Sequence, residues 1–387
     1  MKKVLILGGG FAGLEAAIFL RKYNIEVTLI SNRKYFYVFP TSIWIPTGEQ
    51  KFEDTCVDLK LLSEIHKFDF IEDEVIEIDK NNKNVICKNN NFNYEYLIIA
   101  MGANKTNYEG EDNFNSICGK PNESILLKKQ IDDLIKKGNG DVCMGFGGNK
   151  NDPSSVRGGP AFELIFNLHN KLKKLGIREN YNLTFFAPME KPGNKMGEKS
   201  SDMINVYFDK LNIKKQFGKK IINFEKDKII FEDNINLKSD LTMFIPAGRG
   251  YDIFEESNFP LNQSGFIEIN DFCEVNGEDN IFAIGDCAAL EGPEWKAKQG
   301  HIAEVMARNT AFNILQKENK NKERKGYKEH INILCVMDTG DGAVFVYRDG
   351  KGSKMFPMPL VGHWMKKGWG WYCRNSKQNK FPRLPGM

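Results

Sequence analysis

Lys3-Val4-Leu5-Ile6-Leu7-Gly8-Gly9-Gly10-Phe11-Ala12-Gly13-Leu14-Glu15-Ala16-Ala17 reads as a strand, a tight turn and the start of a helix. The apolar run from Val4 to Leu7 suits a strand buried on both faces. Glycines at 8, 10 and 13 have the spacing of a dinucleotide-binding turn. Gly8 allows the sharp turn, Gly10 leaves room for backbone to approach a pyrophosphate, and Gly13 lets the helix pack close to the strand. The backbone of Gly9, Phe11 and Ala12 completes the turn, and the helix end presents unpaired N–H groups to the phosphates.

The next elements support that reading. A helix from Leu14 to Tyr23 precedes a second strand, Glu26 to Ser31. A dinucleotide fold usually places an acidic residue at the end of that strand to accept a ribose hydroxyl. Here Ser31 and Asn32 stand there, and either side chain can still bond a ribose.

The chain has 387 residues, more than one hydrophobic core normally serves, so two or three domains are expected. Hydrophobic residues make up 41% and charged residues 27%, as in an ordinary globular protein. No apolar run approaches about 18 residues, and the first strand begins too early for a signal peptide, which gives a cytoplasmic setting as the expectation. A net charge of +3 is too small for general nucleic-acid binding. The eight cysteines include no C-x-x-C pair, which argues against a zinc site or a thioredoxin-like motif, and the expected cytoplasmic setting argues against a disulfide framework.

In chain order, residues 1–104 form the first part of a nucleotide-binding domain. The aromatic loop from Asn32 to Ser42 either covers a cofactor or closes the domain's core. Thr41 in that loop and Val75 in the following strand are expected to contact the cofactor. The strand Tyr94 to Ile99 ends in Ala100-Met101-Gly102-Ala103, small enough at Ala100 and Gly102 for a cofactor to lie against backbone. Residues 105–239 form a second α/β unit. Its turn, Gly145-Phe146-Gly147-Gly148-Asn149-Lys150, lacks the third glycine. A Pro-containing loop separates it from the helix starting near Gly159, so this nucleotide fold is expected to be degenerate. Residues 240–325 return to the first domain, beginning with a strand at Asp240–Pro246. They include Ile281 to Ile284 followed by Gly285-Asp286, where Asp286 either accepts a sugar hydroxyl or caps a following helix.

Gly8-x-Gly10-x-x-Gly13, Ala100-Met101-Gly102 and Ala283-Ile284-Gly285-Asp286, in that order, resemble the FAD-dependent pyridine nucleotide-disulfide oxidoreductase superfamily. The resemblance implies two Rossmann-like three-layer domains and FAD. Lys298 to Glu304, Gly159 to Glu163, Ile245-Pro246 and Gly362 to Lys367 look like the branch of sulfide:quinone oxidoreductases and flavocytochrome c sulfide dehydrogenases. That branch places a lysine matching Lys298 near the flavin, where a cation stabilises the reduced, anionic ring. It also implies two redox cysteines. Cys335 looks like one, while the place of the other, just before Gly-Pro-Ala-aromatic-Glu, is filled by Arg157 or Gly158. Cys118 resembles a third cysteine found near the flavin in some members. Arg157 could attract an anionic donor or lower a neighbouring thiol's pKa.

The C-terminal region, residues 326–387, carries Trp364, Trp369, Trp371 and Tyr372 beside Lys366 and Lys367. Aromatic rings with lysines suit a segment lying on a membrane surface, the ammonium groups toward anionic lipid, although Gly362, Gly368 and Gly370 weaken a continuous helix. Burial against the body or in a homo-oligomer interface is the competing account. The expectation is a flavoprotein on the cytoplasmic side of a membrane that passes electrons from sulfide or a related sulfur donor to a quinone. A type II NADH dehydrogenase and a flavin-binding redox sensor are the alternatives.

Overall fold

The computed structural model describes residues 3–197 and 199–383. The opening stretch forms the centre of a five-stranded parallel sheet. Lys3–Leu7 lies between Glu26–Ser31 and Tyr96–Ile99, with Asp69–Glu72 and Ile281–Ala283 at the two edges. Val4, Leu5, Ile6 and Leu7 are all fully buried, which explains why the strand shows no polar alternation. Helix α1 (Phe11–Lys22) begins three residues earlier than the sequence suggests, directly at the turn. A Cβ at Gly13 would stand 1.8 Å from the Gly8 carbonyl oxygen, so only glycine permits this strand and helix to meet.

The aromatic segment after the second strand is not an open loop. Tyr35–Tyr37 pairs antiparallel with Cys56–Asp58, and Phe39–Trp44 winds into a 3-10 turn with Phe36 and Trp44 fully buried. Helix α2 (Leu59–His66) follows, its first turn capped by the Asp58 carboxylate. Asn84–Cys87 is the middle strand of a three-stranded antiparallel excursion before Tyr96–Ile99 rejoins the parallel sheet.

The second unit contains helices α3 (Glu123–Lys137), α4 (Gly159–Lys174) and α5 (Ser200–Lys210) around a four-stranded parallel sheet. Its strands run in the order Ile213–Phe217, Tyr181–Ala187, Gly140–Phe146, Leu241–Ile245. The strand at 241–245 therefore pairs inside the second sheet, not in the first as expected from a boundary at 239. The chain re-enters the first sheet only with Ile281–Ala283, after the short helix α6 (Asp252–Glu256). Nor does a helix follow Asp286 directly: Gly285–Cys287 is one 3-10 turn, and the long helix α7 (Gly300–Glu318), packed on α1, starts thirteen residues later.

An antiparallel meander, Ile333–Asp338, Gly342–Asp349 and Gly352–Pro359, leads into helix α8 (Val361–Lys377). This helix is unbroken, contrary to the weakening expected from its glycines. A Cβ at Gly362 would meet the Ala343 Cβ at 2.5 Å, and one at Gly370 would meet the Thr41 Cγ2 at 2.3 Å. Close packing against the body outweighs the roughly 1 kcal/mol that each glycine costs a helix.

Candidate active site

One continuous cavity of about 2390 Å³ runs between the two sheets and under α8. Its floor includes Gly8, Gly9, Gly10, Phe11 and Ala12, with Ser31 and Asn32 at the end of the second strand. Val75, Ala100, Gly102, Gly285 and Asp286 line the same space, as do Lys298, Cys118 and Cys335. Two expected contacts stand elsewhere. Gly13 lies beneath the turn, and Thr41 donates its hydroxyl hydrogen to the Val38 carbonyl, 2.9 Å away, while its methyl packs under Gly370.

The floor fits a dinucleotide cofactor. No side chain caps α1, so its first N–H groups face the cavity unclaimed. A Cβ at Gly10 would meet nothing within 4 Å, and Gly102 (φ +78°) is equally open, leaving bare backbone for phosphates and sugars to approach. The volume exceeds the ~300–1,000 Å³ of an ordinary small-molecule site, so a cofactor leaves space for reactants.

Lys298 is only 6% exposed, so it is not a solvated surface cation. Its ammonium donates to the Ala288 carbonyl and lies 3.8 Å from the Phe266 ring centre. Burial pulls it down to about 8. Cys335 faces the cavity from the first strand of the meander, opposite Val346. Burial and the neighbouring Glu163 carboxylate push its thiol up to about 12, with Lys366 opposing. At neutral pH Cys335 is therefore a thiol, not a standing nucleophile.

A buried polar network behind Cys335 was only half visible in the sequence. Glu163, on α4, accepts from the Asp338 N–H at 2.7 Å and from the Lys366 ammonium. Burial raises the Glu163 carboxyl, with Lys366 opposing. Asp338 bonds His363 Nδ1 at 2.6 Å, and His363 Nε2 lies 3.5 Å from Glu49 at the surface. Lys367 also meets Glu49, at 3.0 Å. Lys366 thus points into the protein, where Glu163 neutralises it, while Lys367 pairs with Glu49 at the surface. The motifs Gly159 to Glu163 and Gly362 to Lys367 held these residues, but nothing in either announces that they meet. Sequence reasoning also missed the ion pair between Arg157 and Asp286.

A family model for pyridine nucleotide-disulphide oxidoreductases matches residues 2–308. The chain belongs to this family. It is 29% identical over 369 residues to a sulfide-quinone reductase of Aquifex aeolicus, covering 90% of this chain and 84% of the relative. It is 25% identical over 374 residues to a type II NADH:quinone oxidoreductase of Staphylococcus aureus, covering 89% and 90%. The crystal structure of the Aquifex aeolicus sulfide:quinone oxidoreductase superposes with a TM-score of 0.87 at 26% identity, over 97% of this chain and 92% of that one. NDH2 from Plasmodium falciparum shares the fold, with a TM-score of 0.77 at 14% identity, over 100% and 99% of the chains. The chain is accordingly an oxidoreductase of the sulfide-quinone reductase-like flavoprotein kind, and its cofactor is FAD.

Proposed function

We propose that this enzyme transfers electrons from sulfide or a related sulfur donor, through FAD, to a membrane quinone. The observation that carries the reading is that Cys335, Lys298 and the aromatic inner side of α8 face one cavity together with the nucleotide turn. Bound there, FAD would accept an electron pair from a donor and pass it to an acceptor.

The chain's own residues supply the rest. Gly8 to Ala12 and Gly285 hold the phosphate end, with Ser31 and Asn32 at the ribose. Lys298 fixes a positive charge in an enclosed site, where it acts more strongly than in water. Burial raises the Glu163 carboxyl against the opposing Lys366 charge, and the Lys366 ammonium donates to it in the cavity wall. Those groups suit a quinone, which takes up two protons as it is reduced. Trp369 and Tyr372 offer it flat apolar faces from α8.

The outer side of α8 supports contact with a membrane surface. Val361, Trp364, Met365 and Trp371 form one exposed apolar stripe, with Trp364 69% accessible. No helix among the described residues is long and apolar enough to cross a bilayer. Attachment through this stripe is peripheral, and the side proposed for it is the cytoplasmic one. A homo-oligomer interface is the competing occupant of the stripe, and sedimentation separates the two.

The NADH reading receives less support. The loop between Phe146 and α4 is pinned by the Asn149 amide, which donates to Ser155 at 3.3 Å, to the Gly248 carbonyl at 3.1 Å and to Ser264 at 3.0 Å. Stopped-flow mixing of the oxidised holoprotein with hydrosulfide, a thiol or NADH tests the choice. Bleaching of the flavin by a sulfur donor with no response to NADH is expected; rapid bleaching by NADH alone would replace this reading with the dehydrogenase.

A further inference from the structure

His363, in the first turn of α8, has a carboxylate at each ring nitrogen. Nδ1 lies 2.6 Å from the fully buried Asp338, and Nε2 lies 3.5 Å from Glu49 at the surface. The imidazole therefore bridges solvent and interior. Trp44 and Trp364 meet it edge-on, with ring centres 5.6 and 5.8 Å away, and fix its orientation. The second Asp338 oxygen accepts from the Gly340 N–H at 2.6 Å, so one oxygen is tied to backbone and the other to a group that can carry a proton.

The inner end of this line reaches the cavity. The Asp338 N–H donates to Glu163 at 2.7 Å, and the Lys366 ammonium donates to the same oxygen. Glu163 and Lys366 line the cavity, whereas Asp338 and His363 stand behind them. By bond lengths an aspartate carboxyl lies within about 4 Å of its own amide nitrogen, so a carboxyl rotation and one water span the distance from Asp338 to Glu163. His363 and Lys366 are also one helical turn apart on α8 and thus neighbours on its surface. A pin between α8 and the meander needs a single hydrogen bond. A ring held between two carboxylates, one inside and one outside, can take a proton at Nε2 and release one at Nδ1.

We propose that Glu49, His363 and Asp338 form the route by which protons from solvent reach the Glu163–Lys366 pair. The proposal rests on the quinone reading above and adds where the protons of that reaction enter. Reduction of a quinone to its quinol takes two electrons, supplied by the reduced cofactor, and two protons. When an O–H bond forms on the quinone, an N–H or O–H bond of the Glu163–Lys366 pair breaks. The Asp338 carboxyl then reprotonates the pair, His363 Nδ1 reprotonates Asp338, and Nε2 regains a proton from water beside Glu49. Nothing is oxidised or reduced along the route, and His363 is a positioning residue that does not touch the quinone.

The test follows reoxidation of the dithionite-reduced holoprotein by decylubiquinone in a stopped-flow instrument, so that no sulfur donor is needed. His363→Gln keeps an N–H donor for Asp338 but cannot relay a proton, and should slow reoxidation by about a hundredfold with flavin absorbance retained. His363→Ala should be as slow, and imidazole should restore its rate. The 1,3-dimethylimidazolium ion, similar in shape but without a transferable proton, should not. Full speed in His363→Gln would overturn the proposal. So would rescue of His363→Ala by both compounds or by neither, since the ring would then serve only to fill space or to hold the helix. If His363→Ala does not fold, the His363→Gln rate alone decides. A reduced wild type that decylubiquinone cannot reoxidise is a separate outcome, which defeats the quinone reading and the proposal with it.

Discussion

Cys335 and Lys298 show how far a residue's environment decides its chemistry. Cys335→Ser is expected to abolish sulfide-dependent quinone reduction while FAD stays bound; undiminished turnover would exclude a redox role. Because burial and Glu163 hold the thiol up to about 12, turnover that depends on its thiolate should rise with pH across the neutral range. Lys298→Met should lower the flavin midpoint potential by about 30 mV, the two-electron equivalent of ~1.4 kcal/mol, in a redox titration. Lys298 loses its charge above about 8, so the difference between wild type and variant should shrink as pH rises through that value. At this scale the sequence was legible where backbone dictated the residue. Gly8 (φ +111°) and Gly13 could be assigned because no other side chain fits. Gly13→Ala should cost about 1–3 kcal/mol of stability and release FAD, measurable as a lowered melting temperature and a colourless fraction. The ion pairs were not legible, since Lys366 meets a carboxylate 203 positions away and nothing local distinguishes it from a solvated lysine.

Elements were legible when their pattern was self-contained. The strand at Lys3–Leu7 and the helix after it declared themselves through a buried run and a turn. The strand at Leu241–Ile245 declared its type but not its sheet, because a fully buried, mostly apolar strand fits the interior of either parallel layer. Helix α8 was misjudged for a related reason. Its glycines look destabilising in isolation and become necessary only against Ala343 and Thr41. The rings and lysines that suggested lipid contact divide between its sides, with Trp364 and Trp371 outward, Lys366 inward and Lys367 paired with Glu49 at the surface. Replacing Trp364 and Trp371 together by serine should weaken co-sedimentation with anionic vesicles at least tenfold, given about 1.5–3 kcal/mol per large apolar side chain. Unchanged sedimentation would point to burial of the stripe in an oligomer. Deleting the whole helix would be a poorer test, because it strips partners from Glu15, Glu163 and Asp338.

Across the whole molecule, the two ends of the chain are joined by charge. Glu15 on α1 is fully buried and meets Lys377 at 2.6 Å, Arg308 at 2.7 Å and Arg383; Lys377 also meets Glu304 at 2.6 Å. Burial would raise the Glu15 carboxyl, but Lys377, Arg383 and Arg308 hold it down to about 2. A carboxyl depressed in this way stabilises the fold above its unfolded value near 4.5, and that contribution disappears as pH falls toward 2. Lys377→Met should leave Glu15 partly uncompensated and cost about 3–5 kcal/mol, seen in a denaturant titration as an earlier midpoint. Neither the partners nor their number could be read from the sequence, because α1, α7 and α8 lie far apart along the chain and meet only in the folded structure.

That union of first helix and last has a bearing on biosynthesis. The cradle around Gly8 emerges from the ribosome first, yet its edge strand at Ile281–Ala283 and its clasp at Lys377 are translated more than 250 residues later. A nascent chain stalled before residue 360 should therefore be unable to keep its yellow pigment, however long it is given, and colour should arrive only with the final helical turns.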